Sequence, residues 1–204
     1  MLLAFFGCLC YTEKKPCEDT MRILLINACV REESRTLLLA KKMLSELSGE
    51  MTEVELQSIA LSPLDRNTLA LREKLVHEQA WAHPMFDLAR EFALADHIVI
   101  AAPYWDLGFP ALLKIYLEAV TVAGITFAYS EEGRPIGLCA AKKLTYLTTA
   151  GGKIFADYGY DYVKALAQNL YGIAETECYF AEDMDVLGIT RENFYQNAVI
   201  RHKQ

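Results

Sequence analysis

Residues Ile98 to Ala102 are apolar without a break, and no other feature restricts the fold as strongly. A strand that is hydrophobic on both faces must be covered on both, so its sheet lies between two layers of helices. Pro103 ends pairing after the strand, and Pro110 opens a helix where its missing N–H costs nothing. Between the prolines, Tyr104, Trp105, Asp106 and Leu107 occupy a short, stiff connection at the strand's carboxyl end. Ligands of open α/β sheets bind at such ends, and an aromatic ledge suits a flat one.

The rest of the chain alternates in the same way. Ile23 to Asn27 is a second continuous apolar run. From Ser34 to Leu47, Leu37, Leu38, Ala40, Met43, Leu44 and Leu47 recur at helical spacing, with Gly49 as the expected C-cap. Glu53 to Gln57 alternates strictly, which predicts a strand near a sheet edge. Helices are predicted over 68–81, 84–94, 111–122, 155–171 and 189–200, strands over 144–149 and 177–180, and a small hairpin about Glu132-Gly133. Five strands separated by helices predict a parallel sheet with right-handed crossovers. Apolar first and third strands and an alternating second give the order 2-1-3-4-5, a flavodoxin-like three-layer α/β sandwich.

This domain is expected to run from Met21 to residue 204. Residues 1–20 are expected to be an N-terminal extension outside the fold. Their apolar part is too short to span a bilayer and has no basic secretory start. The 204 residues are 53% hydrophobic and 23% charged, which fits one compact domain. A net charge of −7, with lysines and arginines scattered, gives no electrostatic support for nucleic acid or anionic membrane. A phosphorylated ligand must then be held by local backbone dipoles. Cys8, Cys10, Cys17, Cys29, Cys139 and Cys178 form no C-x-x-C pair, so reduced cytoplasmic thiols are expected rather than a metal site.

Three strand-end loops carry the candidate chemistry. In the first, Ser34 is placed to cap a helix, whose opening N–H groups, with Thr36 and Arg31 or Arg35, suit a phosphate. Ser34 serves a plain cap equally well. G-x-x-x-x-G-K-[ST] and G-x-G-x-x-G are both absent, which disfavours ATP hydrolysis and a dinucleotide fold. The second loop is the aromatic ledge of Pro103, Tyr104, Trp105, Asp106 and Leu107; Phe109 reads as core. The third, Thr149-Ala150-Gly151-Gly152, ends a strand in glycines that let backbone approach a ligand. It also reads as an ordinary strand-to-helix turn. Together the loops describe a phosphate socket, a flat shelf and a glycine backbone, which are the needs of FMN.

Several segments resemble the FMN-dependent NADH-azoreductase and NAD(P)H:quinone oxidoreductase family. Asn27-Ala28-Cys29-Val30-Arg31 followed by Ser34-Arg35-Thr36 is similar to its phosphate loop, N-G-S-P-R then S-x-S or S-x-T. Pro103-Tyr104-Trp105-Asp106-Leu107 with Pro110 and Lys114 resembles P-M-Y-N-F…P…LK. Ala123 to Tyr129 matches A-G-x-T-F-x-Y, and Thr149 to Gly152 matches S-x-G-G. Cys29, Asp106 and Ala150 depart from the family's serine, asparagine and frequent arginine.

The resemblance implies an FMN enzyme that takes a hydride from NADH or NADPH and passes two electrons, by a ping-pong cycle, to quinones, azo compounds or similar flat acceptors. It also implies a homodimer whose 125–137 hairpin, with Phe127 and Tyr129, completes the partner's site. No catalytic acid or base is compelled; Tyr158 is a candidate proton donor or a plain surface tyrosine. The alternatives are a flavodoxin-type electron carrier without its own small substrate and a cofactor-free regulatory protein on the same fold.

Overall fold

The computed structural model describes residues 20–203. The expectations for residues 1–19, including those for Cys8, Cys10 and Cys17, lie outside the described residues. In chain order the elements are β1 (Arg22–Asn27), α1 (Arg35–Leu44), β2 (Glu50–Glu55), α2 (Arg66–His77), α3 (Asp87–Leu94), β3 (His97–Ala101), α4 (Ala111–Val120), β4 (Phe127–Tyr129), β5 (Pro135–Gly137), β6 (Lys143–Thr149), α5 (Tyr160–Leu166), β7 (Glu175–Ala181), α6 (Phe194–Asn197) and β8 (Arg201–Lys203). A single 3₁₀ turn (Pro84–Phe86) leads into α3, and a wide π turn (Ala167–Tyr171) extends α5.

The main sheet runs β2-β1-β3-β6-β7-β8. Its first five strands are parallel in the expected order, and β8 adds an antiparallel sixth against β7. Every residue of β3 is buried, as its unbroken apolarity requires. Ile98 and Ile100 face a core shared with α2, α3, α4 and α5, while Val99 and Ala101 face a second core under α1 and α6. Ile98, Val99 and Ile100 each contribute about 1.5–3 kcal/mol by leaving water. Among the described residues no helix is long and apolar enough to cross a membrane.

Two helices and one glycine position depart from expectation. The helix expected over 189–200 shrinks to Phe194–Asn197. Val199 and Ile200 are β-branched, and Arg201 and His202 pair with Phe180 and Tyr179. The helix expected from Phe155 starts at Tyr160, because the Asp157 carboxylate accepts the Tyr160 N–H at 2.9 Å and sets the helix start there. Gly49 is not a helix cap. A Cβ there would stand 2.4 Å from the Met21 carbonyl oxygen, so this glycine lets the entry to β2 pass close to the entry to β1.

The hairpin β4–β5 leans on the end of α5. A Cβ on Gly137 would lie 2.2 Å from the Gly172 nitrogen, and Gly172 takes φ +76° as it ends the π turn. Phe127 is buried and packs edge-on to Tyr129, a residue 62% exposed. Of the two aromatics expected on the hairpin wall, only Tyr129 faces outward.

Candidate functional site

The connections after β1, β3 and β6 meet in one cleft of about 200 Å³ at the carboxyl edge of the sheet. Arg31, Ser34, Arg35, Thr36, Pro103, Tyr104, Trp105, Thr149 and Gly151 line it, together with Val30, Glu33 and Asp185. Asp106, Leu107, Ala150 and Gly152 do not.

Ser34 holds extended backbone and caps α1, its Oγ accepting the Leu37 N–H at 3.2 Å. The Arg35 and Thr36 amides at this helix end have no protein acceptor among the described residues. Free first-turn amides and the helix dipole favour an anion here. Thr36 is buried, and its Oγ1 lies 2.7 Å from Thr149 Oγ1, a bond that ties the first loop to the third. Arg35 is not directed at the helix end. Its guanidinium donates to Asp185 Oδ1 and to the Ile189 carbonyl, both at 2.7 Å. Arg31 is the exposed cation at the rim.

Cys29 turns inward. Its N–H donates to Asn27 Oδ1 at 3.0 Å, and its thiol points at the Ala101 carbonyl, 3.6 Å away. Burial pushes this thiol up to about 11, so it is protonated and commits its donor to the protein interior. At this position the hydroxyl of the family's serine has no counterpart facing the cleft.

In the second loop, Trp105 and Gly108 exchange backbone hydrogen bonds of 3.3 and 2.8 Å around a two-residue turn. Asp106 (φ +51°) and Leu107 (φ +66°) both take left-handed backbone, the pattern of a type I′ turn. Aspartate tolerates that region through its short polar side chain, whereas leucine rarely occupies it. Asp106 is thus exposed at a turn tip. Tyr104 is pinned: its N–H donates to the Thr149 carbonyl at 3.1 Å and its hydroxyl to the Ala156 carbonyl at 2.7 Å. Trp105, 37% exposed, shows part of its ring at the cleft.

The third loop divides its backbone groups. The Ala150 N–H is spent on the Ala181 carbonyl at 2.9 Å, so it is not available to a ligand. Among the described residues the Gly151 and Gly152 N–H groups have no protein acceptor, while their carbonyls accept from Asp185 and Asp183. A Cβ on Gly151 would stand 2.1 Å from Asp185 Oδ2, and one on Gly152 would meet nothing. Sequence reasoning missed Asp185. It follows β7, a strand whose carboxyl end opens onto the same edge, and its bonds to Arg35 and to the Gly151 carbonyl reveal the link.

The sequence profile described as flavodoxin-like fold matches residues 21–204. An FMN-dependent NADH:quinone oxidoreductase 2 of Clostridium acetobutylicum is 32% identical over 196 residues, covering 90% of this chain and 96% of that protein. An FMN-dependent NADH:quinone oxidoreductase of Clostridium beijerinckii is 30% identical over 194 residues, covering 90% of this chain and 96% of that protein. Among solved structures, an FMN-dependent NADH-azoreductase from Bacillus anthracis in complex with FMN superposes with a TM-score of 0.70 at 24% identity, over 86% of this chain and 94% of that one. That last likeness concerns the fold. The profile and the sequence relatives together carry the assignment: the chain belongs to the flavodoxin-like family that includes the FMN-dependent NADH:quinone oxidoreductases.

Proposed function

We propose that the protein is an FMN-dependent NAD(P)H oxidoreductase that passes two electrons by a ping-pong cycle to quinones, azo compounds or similar flat acceptors. The observation that carries the reading is the meeting of three strand-end loops in one cleft, with amides at both of its poles that have no protein acceptor among the described residues. Those residues fit the group. Ser34 with the Arg35 and Thr36 amides would hold the phosphate, Tyr104 and Trp105 would flank the ring, and the Gly151 amide would face its polar edge. FMN, when bound, supplies the hydride-accepting and two-electron chemistry. The protein's part is to bind, align and exclude water, and to direct N–H dipoles at developing negative charge.

The cleft is smaller than the roughly 300–1,000 Å³ of pockets that enclose a drug-sized ligand. That favours a homodimer in which a second copy covers the ring, and the exposed Tyr129, Ile136 and Leu138 of the hairpin region are the surface for it. We take residues 21–204 as the flavin-binding domain and residues 1–20 as an extension to it. We place the protein in the cytoplasm, where thiols such as Cys29, Cys139 and Cys178 stay free. NADH and NADPH are both admitted as donors.

The test is anaerobic. FMN-loaded protein is mixed with NADH, then with a quinone, while flavin absorbance is followed. Bleaching by NADH and recovery with quinone is the expected result. A protein that holds flavin yet leaves NADH unoxidised is an electron carrier, and one that takes up no FMN overturns the reading.

A further inference from the structure

The loop from Gly152 to Gly159 leaves the cleft's glycine pair and returns along the aromatic turn. Two hydrogen bonds fix that return: the Tyr158 N–H donates to the Leu107 carbonyl at 3.1 Å, and the Tyr104 hydroxyl donates to the Ala156 carbonyl at 2.7 Å. It carries the most exposed aromatic residue of those described, Phe155 at 85%, and Tyr158 at 66%. Rings left in water beside a cleft gain free energy when a planar molecule covers them.

This loop is held from outside by β8. Three consecutive side chains on that strand each meet a carboxylate: Arg201 meets Glu182, His202 meets Glu177, and Lys203 meets Asp157. Glu182 also accepts the Ile154 N–H at 3.1 Å and the Lys153 ammonium at 3.2 Å. The Asp157 side chain is only 10% exposed, and it divides its oxygens between Lys203 and the Tyr160 N–H. The Lys203 ammonium stands 4.9 Å from the Tyr160 ring centroid, so it closes over both the loop end and the helix start. Without Lys203, Asp157 would be a mostly desolvated carboxylate with no cation beside it, and the loop would move to hydrate it.

We propose that Lys203, acting through Asp157, is a positioning residue for the electron acceptor, holding the Phe155–Tyr158 segment against the turn of residues 105–108. The proposal rests on the oxidoreductase reading for the acceptor, though not for the loop itself. The phosphate end of the cleft lies on the far side of the glycine pair and makes none of these contacts. Lys203 thus governs the acceptor's KM, and it reaches the flavin site only through the Tyr104 hydroxyl on the Ala156 carbonyl.

The experiment compares wild type, K203Q, D157N, the K203Q/D157N pair and K203R. Three readouts are used: amide hydrogen exchange of residues 153–159 in the FMN-free protein, FMN affinity by fluorescence titration, and kcat and KM for a soluble benzoquinone. In K203Q, exchange is expected to rise in 153–159 and not in β1 or β3, with KM up roughly fivefold, the factor of one ion pair, FMN affinity shifted by less than that factor, and kcat unchanged. D157N should match it, the double variant should add nothing further, and K203R should restore wild-type KM. Unchanged KM, exchange raised evenly across the sheet, or failure of K203R to restore would each overturn the proposal. If wild type binds no FMN, the oxidoreductase reading falls by itself, while the exchange comparison still decides whether Lys203 holds the loop.

Discussion

The hydroxyls of Thr36 and Thr149 lie 2.7 Å apart, buried between the opening of α1 and the end of β6. Two hydroxyls bring two protons, and their mutual bond uses one. The other remains for a ligand atom at the helix end. The phosphate loop and the glycine loop are therefore coupled through a single bond before any ligand arrives.

Replacing one partner strands the other. Thr36→Val leaves Thr149 Oγ1 buried without a partner, at a cost of about 1–3 kcal/mol, and removes the free proton. FMN affinity should fall roughly tenfold with a lowered melting temperature. Thr36→Val/Thr149→Val should recover much of the stability and none of the affinity. Fluorescence titration and thermal melts read the two apart.

The two glycines of the third loop should respond differently. Gly151→Ala drives a methyl into the Asp185 carboxylate, 2.1 Å from its Oδ2, and pushes that group from Arg35. Asp185 is largely exposed, so the folding cost is about 1 kcal/mol. Gly152→Ala has open space and should melt as wild type does. Paired melts of the FMN-free proteins check this.

Leu107 holds left-handed backbone at the second position of its turn. Asn tolerates that region, while a β-branched side chain clashes there. Leu107→Val should destabilise by about 1 kcal/mol or more, and Leu107→Asn should be neutral or stabilising, as urea denaturation of the two variants will show.

His97 is buried with Nε2 2.9 Å from Thr145 Oγ1. Burial, and next the Lys143 charge, hold its pKa below the ordinary 6.5, against a weaker pull upward from Glu177 and Glu175. The unfolded chain accordingly takes up this proton first as pH falls. Stability from the neutral ring is complete above the unfolded value of 6.5 and erodes below it. Melting temperature should drop between about pH 7 and about pH 5, and His97→Gln should flatten that drop.

Much of this architecture was legible in the chain. The unbroken apolar run at Ile98–Ala102 forces burial on both faces, and that alone places β3 at the centre of a covered sheet. The strand-end loops followed from it, because the sheet delivers them to one edge. What stayed hidden depends on pairing across long separations. The fate of Arg35 is set by Asp185, 150 residues away, and β8 exists because β7 offers it an edge. Helical periodicity in 189–200 was real but weak beside that offer. The turn at Asp106-Leu107 escaped too, since leucine gives no local sign of positive φ.

The backbones of Gly137 and Gly172 touch where the small hairpin meets the end of α5, with no side chain between them. Such a junction cannot hinge without opening a gap at both glycines, so the projecting hairpin is rigid in isolation. Any surface that docks on Tyr129 and Ile136 then meets a shape already formed, and little ordering entropy is charged against the encounter. Adding a methyl at Gly137 would lift the hairpin as one piece, altering how that docked surface registers while the sheet behind it stays undisturbed.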